Sequence, residues 1–274
     1  MAGFAVGIVW VVATLLLSRL SSQVDLLRFP IAWAGVLVAL DGLARWRRGL
    51  SPLRSPADWV AAAVASVVFW DVFELVNLRL HNWWYAGVSP SPWAGGLFAA
   101  ASFATVLPAV RLGLAQLPPG PQWVAAIEAR RIKLLAGLAA LALALAFPRF
   151  AFPLAFIFLW PICEALAGVR VRLRVMALGL PLGLVWESLN WRCARGWSYT
   201  IPFFERPKLF EMPLPGYLGY LPFALEAVAA LALLDKLRPH LRGKRAAPAL
   251  IGVLLFHALA EHLGRGQTVL SFSR

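Results

Sequence analysis

Eight or nine stretches of this sequence run for about 18 residues or more with few charges, long enough to cross a bilayer as α-helices. A soluble chain of 274 residues can bury one such helix in its core, but not eight or nine. With 61% hydrophobic residues and a mean hydropathy of +0.72, the chain is also more apolar than a soluble domain. The expected fold class is therefore an all-α integral membrane protein. Its candidate spans lie at roughly 3–20, 28–45, 57–80, 92–115, 132–148, 150–168, 173–192, 214–236 and 246–264. The fifth is short between Lys133 and Arg149, whose side chains can snorkel, and the turn Pro148-Arg149-Phe150 after it is tight. The first lacks a basic leader and a small-x-small cleavage site before Arg19, so it reads as a retained helix rather than a signal peptide.

The net charge of +13 would suggest nucleic acid in a soluble protein. Here the basic residues sit in short loops between apolar runs, where they set topology and touch lipid headgroups, and no nucleic-acid motif accompanies them. Sixteen of the 26 Lys and Arg fall in loops after even-numbered spans, among them Arg45, Arg111, Arg170 and Lys236. The positive-inside rule then puts the N-terminus in the cytoplasm and the C-terminus outside, in what is expected to be a bacterial inner membrane. This topology sets Cys163 and Cys193 toward opposite faces, which argues against a disulfide. No CxxC or zinc pattern is present. The longest outer loop, Cys193 to Met212, mixes Trp197, Tyr199 and several Phe with charges and is expected to lie on the membrane surface.

The chain repeats itself. Phe29-Pro30-Ile31-Ala32-Trp33 matches Phe152-Pro153-Leu154-Ala155-Phe156, and Asp41 matches Glu164 at the same offset. A second block, Glu74-x-x-Asn77-x-Arg79 followed by Trp84 and Tyr85, matches Glu187-x-x-Asn190-x-Arg192 followed by Trp197 and Tyr199. The second offset is shorter, and the final Tyr slips by one. Asn occurs only three times in the chain and Tyr four, so two of each in this block are hard to assign to chance. The predicted organisation is two parallel four-helix repeats, residues 1–120 and 121–240, related by an axis along the membrane normal, plus an extra C-terminal helix in 241–274.

Ionisable groups inside a span are expensive, so they mark sites or ion pairs. Glu74 with Asn77, and Glu187 with Asn190, share helix faces near the non-cytoplasmic ends. Arg79 and Arg192 are the expected partners, each paired with the Glu of the other repeat. Glu226, in mid-span with no cation nearby in sequence, is the leading candidate for a functional acid, with Asp71 next. His257 and Glu261 share a face at similar depth, whereas His262 falls at the helix end. One His and one Glu make no complete metal motif, and no cofactor is implied. The candidate catalytic set is thus Glu226, Glu187, Glu74 and His257. Asn77, Asn190, Arg79, Arg192, Trp197, Tyr199 and Asp71 are candidate substrate contacts. Glu187, Glu226 and His257 are expected around one shared pocket. Asp41 and Glu164 read as local ion pairs beside Arg clusters. Pro108, Pro161, Pro181 and Pro222 kink their spans, as in transporters but also in inert bundles.

The Trp197-x-Tyr199 loop, followed by a helix bearing Pro222-x-x-x-Glu226, resembles the small membrane carotenoid cyclases, which are also built from repeated helical units. Their paired carboxylates have no counterpart here, since Ala227 follows Glu226, and the resemblance assigns no residue a role. Three functions fit the sequence. The first is an enzyme or binder acting on an amphiphilic lipid or isoprenoid at a buried polar site near the non-cytoplasmic face. The second is a proton-coupled secondary transporter, for which the polar residues lie too near one face. The third is a structural or assembly protein, which leaves Glu226 and His257 unexplained. The bilayer and a lipid or small-molecule ligand are the expected partners.

Overall fold

The computed structural model describes residues 1–89, 91–241 and 243–269. Its helices are α1 (Ala2–Leu17), α2 (Ser22–Leu26), α3 (Arg28–Arg48), α4 (Pro56–Leu80), α5 (Pro92–Phe103), α6 (Val106–Leu114), α7 (Arg130–Ala146), α8 (Pro148–Ala151), α9 (Leu159–Ala167), α10 (Gly179–Asn190), α11 (Tyr220–Leu237) and α12 (Ala246–Gly264). Short strands join them: β1 (Trp83–Ala86), β2 (Trp123–Ala125), β3 (Val169–Val171), β4 (Gly196–Tyr199), β5 (Lys208–Leu209), β6 (Met212–Pro213) and β7 (Thr268–Val269).

Six helical stretches among the described residues are long and apolar enough to cross a membrane: Arg28–Arg48, Pro56–Leu80, Pro92–Leu114, Pro148–Ala167, Leu214–Leu241 and Gly243–Gln267. The protein is a multi-pass α-helical membrane protein. The other three segments expected to span are shorter or broken. α1 has 16 residues and α7 has 17. At 1.5 Å per residue neither reaches about 30 Å. The segment 173–192 is a 3₁₀ stretch, Leu173–Leu178, followed by the 12-residue α10.

Local chemistry accounts for the helix boundaries. α4 begins with a capping box, in which the Ser55 hydroxyl accepts from Asp58 N at 3.2 Å and Asp58 accepts from Ser55 N at 2.8 Å, with Pro56 in the first turn. It ends on His81 in the left-handed conformation. α3 ends on Gly49 in the same conformation.

The two ends of the bundle differ. At the basic end, Arg111 forms a two-pronged pair with Asp235 at 2.9 and 2.5 Å, joining α6 to α11. Lys133 meets Glu164 at 2.6 Å, Arg45 meets Asp41 at 2.7 Å, and Arg238 pairs with Asp58. Asp41 and Glu164 therefore do make ion pairs, although Glu164 also accepts from Trp160 Nε1 and Val171 N. At the opposite end the chain leaves α4, α10 and α12 to build a three-stranded sheet in the order β4-β1-β7. The loop after Cys193 thus does not simply rest on the membrane: Trp197 and Tyr199 are buried in this sheet, and only residues such as Phe203 and Phe204 are exposed. Cys163 and Cys193 are both buried free thiols. Between the two ends lies an aromatic core around Phe29, Trp33, Phe69, Phe73 and Trp186.

Candidate functional site

The site is framed by two asparagines that finish helices. Asn77, in the last turn of α4, accepts from Asn82 N at 2.8 Å and Trp83 N at 3.3 Å through Oδ1. Its Nδ2 donates to the Trp83 carbonyl at 2.9 Å and to Gln267 Oε1 at 2.6 Å. Asn190, the last residue of α10, accepts from Trp197 N at 2.9 Å and donates to the Trp197 carbonyl at 2.8 Å. Each amide thus clamps both polar groups of one tryptophan and turns the chain from helix into strand.

The clamped tryptophans are Trp83 and Trp197, not the Trp84 that the sequence comparison set against Trp197. Both strands read Trp-x-Tyr: Trp83-x-Tyr85 and Trp197-x-Tyr199. β1 and β4 pair antiparallel, with Trp83 opposite Tyr199, Trp84 opposite Ser198 and Tyr85 opposite Trp197.

One helical turn before each asparagine lies a glutamate. Glu74 accepts three hydrogen bonds on Oε1, from Tyr85 OH at 2.5 Å, Trp70 Nε1 at 2.8 Å and Trp83 Nε1 at 3.2 Å. Glu187 accepts on Oε1 from Tyr199 OH at 2.9 Å and from Tyr220 OH. These partners replace the expected ones. Arg79 and Arg192 are both exposed, Arg192 lies 4.7 Å over the Trp191 ring, and neither pairs with Glu74 or Glu187. Both arginines sit where the helices end, where a long cationic side chain can reach water, and uncharged phenol and indole donors hold Oε1 of each buried acid at lower desolvation cost. Burial, with Glu74 beside Tyr85 and Glu187 beside Tyr199, holds each of these strand phenols well above the ordinary tyrosine range. Both therefore remain donors.

His257 on α12 bridges two elements. Its Nδ1 lies 3.0 and 3.1 Å from the two carboxylate oxygens of Asp71 on α4, and its Nε2 lies 3.0 Å from the Gly96 carbonyl in α5. A carbonyl only accepts, so Nε2 carries a proton, and a second proton must then sit between Nδ1 and Asp71. Asp71 is completely buried.

Glu226 is also completely buried, but its role differs from that expected. Its Oε1 accepts from Leu159 N at 2.8 Å, and Trp160 N lies near the carboxyl. These are free N–H groups of the first turn of α9, so Glu226 caps a helix from across the bundle.

Two cavities flank the sheet. The larger, about 830 Å³, lies among α4, α5, α10 and α12 and is lined by Trp70, Glu74, Trp186, His257 and Glu261. The smaller, about 320 Å³, is lined by Phe73, Phe156, Tyr199, Tyr220 and Phe223. Trp70, Tyr85 and Trp197 face both, so they form a shared wall. Neither Glu187 nor Glu226 lines either cavity, so Glu187, Glu226 and His257 do not surround one pocket. The larger cavity instead joins Glu74 to His257, with Trp70, Trp186 and Arg195 as wall residues that the sequence did not single out, and Tyr85, which the sequence marked as part of a repeated block but not as a site residue. Comparison with protein families, with curated proteins and with solved structures finds no match.

Proposed function

We propose that this membrane protein holds an amphiphilic lipid, of isoprenoid or phospholipid type, in the larger cavity near the non-cytoplasmic face. The cavity of about 830 Å³ carries the reading. It is in the size range of small-molecule sites, and its walls are mainly apolar and aromatic with a few converging polar groups. A soluble, fully polar solute would leave the rings of Trp70, Trp186 and Trp197 unpaired. A lipid tail would cover them while its headgroup met Glu74, Glu261 and His257. The proton shared by His257 and Asp71 gives the cavity a group able to pass a proton to a bound ligand, with Asp71 positioning the ring. Asn77 and Asn190 hold the frame, Trp197 and Tyr199 form walls, and Glu187 orients Tyr199 and Tyr220. Arg79 and Arg192 lie exposed, suited to headgroups of the surrounding bilayer.

The two-repeat organisation, with units 1–120 and 121–240 and an added 241–274, belongs to the same reading. Its support is the strand register. If Trp83-x-Tyr85 corresponds to Trp197-x-Tyr199, each Trp lies opposite the other unit's Tyr, and Trp84 lies opposite its own counterpart Ser198. A twofold axis through that central pair, perpendicular to the sheet, reproduces the ladder, and an axis along the membrane normal would be its continuation.

The test is lipid analysis of the protein purified in maltoside micelles. Ala99 lines the cavity, so Ala99→Trp should fill it. The expected result is a defined lipid bound to the wild type and at least about ten-fold depleted in the variant, a change of roughly 1.4 kcal/mol or more. Equal lipid content in the two proteins would overturn the proposal.

A further inference from the structure

Glu74 differs from the other carboxylates around the larger cavity in having no cation. Asp71 is paired with His257, and Glu261 is drawn by both His257 and Arg265. Arg195, on the same wall, is held by the Gly87 carbonyl at 2.9 Å and stacked 4.6 Å over Phe98. Among the described residues no Lys, Arg or His pairs with Glu74, although it is only 7% exposed. Its three hydrogen bonds all arrive at Oε1. Oε2 receives none of the three, and the residue lines the cavity.

The surroundings of this oxygen are aromatic. Trp70, whose N–H holds Glu74, has its ring 5.4 Å from that of Trp186 and 5.7 Å from that of Phe103. Trp186 is in turn 5.2 Å from Trp197. Rings of this kind offer electron-rich faces to a diffuse cation, and tryptophan offers the best of them. They offer no oxygen ligands, so a hard ion such as Ca²⁺ or Mg²⁺, which needs six or more, is poorly served.

We infer that the ligand of the larger cavity carries an alkylammonium group, seated against Glu74 Oε2 and the faces of Trp70 and Trp186, as a choline-type or amine lipid would. The inference rests on the lipid-binding reading and adds the headgroup to it. A carboxylate supplies the counter-charge and the indoles replace water around the methyl or methylene groups, so the cation is not stranded at membrane depth.

The experiment compares three probes of equal chain length in neutral maltoside micelles: hexadecyltrimethylammonium, hexadecanol and hexadecyl phosphate. Binding is read by native mass spectrometry. The wild type is expected to take the ammonium at least about ten-fold more tightly than the alcohol, a difference within the reach of one cation–π and ion-pair site. Glu74→Gln keeps an acceptor for the three donors and should erase that preference while leaving hexadecanol binding intact. Should Glu74→Gln not fold, Trp186→Leu carries the test, since it removes a ring and leaves the carboxylate, and the preference should fall. Equal binding of ammonium and alcohol, a preference that survives both substitutions, or tighter binding of the phosphate would overturn the inference while leaving the cavity a lipid site. Failure of all three probes to bind would remove the lipid-binding reading as well.

Discussion

A buried carboxylate in a membrane protein invites a catalytic reading, and Glu226 shows why its partner must be found first. Nothing near it in sequence is cationic, yet the residue is not idle: it satisfies the Leu159 amide that opens α9. At membrane depth an unpaired N–H costs more than in water, because no solvent can replace the bond. Glu226→Gln retains a carbonyl oxygen for Leu159 N and should change stability by less than about 1 kcal/mol. Glu226→Leu strands Leu159 N and should cost about 1–3 kcal/mol, the penalty of one buried donor left unmade. Thermal unfolding of both variants in maltoside micelles checks this. A Leu variant as stable as the wild type would make the capping role untenable. The same contrast explains which site residues were legible. Glu74, Asn77, Glu187 and Asn190 stood out because rare residues recurred at one spacing. Their partners did not, since Arg79 and Arg192 were the nearest charges in sequence, whereas neutral Tyr and Trp donors across a turn satisfy an acid without a second desolvated ion. The bond from His257 to Asp71 crosses 186 positions, and no periodicity encodes it.

At the scale of elements, α1 is short and largely exposed, and its attachment to α3 depends on close backbone approach. Gly3 and Gly7 lie one turn apart and face Gly35, Ala39 and Gly42. A Cβ placed on Gly7 would stand 2.3 Å from Ala39 N, closer than any side chain tolerates. Small residues at such spacing let membrane helices pack through van der Waals contact, where lipid supplies no hydrophobic drive. Gly7→Ala should therefore separate the helices and lower stability by about 1–3 kcal/mol, as overpacking does. Gly252→Ala, where nothing lies within 4 Å, serves as the matched control and should be neutral or slightly stabilising. Denaturant titration of the two variants measures the difference, and equal midpoints would refute close packing at Gly7. Six of the nine expected spans were legible at this scale, because hydropathy reports burial in lipid directly. The breaks were less so. The 3₁₀ stretch before α10, and the sheet that buries Trp197 and Tyr199, arise from tertiary contacts that an apolar window does not register.

For the molecule as a whole, the two ends of the bundle carry different chemistry, and this bears on orientation. The basic end holds Arg45, Arg111, Lys133 and Arg238, each tied to a carboxylate, with further arginines such as Arg54 exposed in the loops. The sheet end holds both glutamate–asparagine pairs, β1, β4, β7 and the cavity beneath them. Excess Lys and Arg are retained on the cytoplasmic side during insertion, so the basic end should face the cytoplasm and the cavity should lie toward the outside. The two native cysteines are buried, so single engineered thiols can report this against a low background. Glu205→Cys, at an exposed position in the loop after β4, should react with a membrane-impermeant maleimide in intact cells. Arg54→Cys, exposed in the loop between α3 and α4, should react only after the membrane is broken. The opposite pattern would invert the molecule and put the cavity within reach of ligands from the cytoplasmic side. Labelling of both thiols from one side would mean that an odd number of crossings does not separate them, and the count of spans between α3 and β4 would have to change.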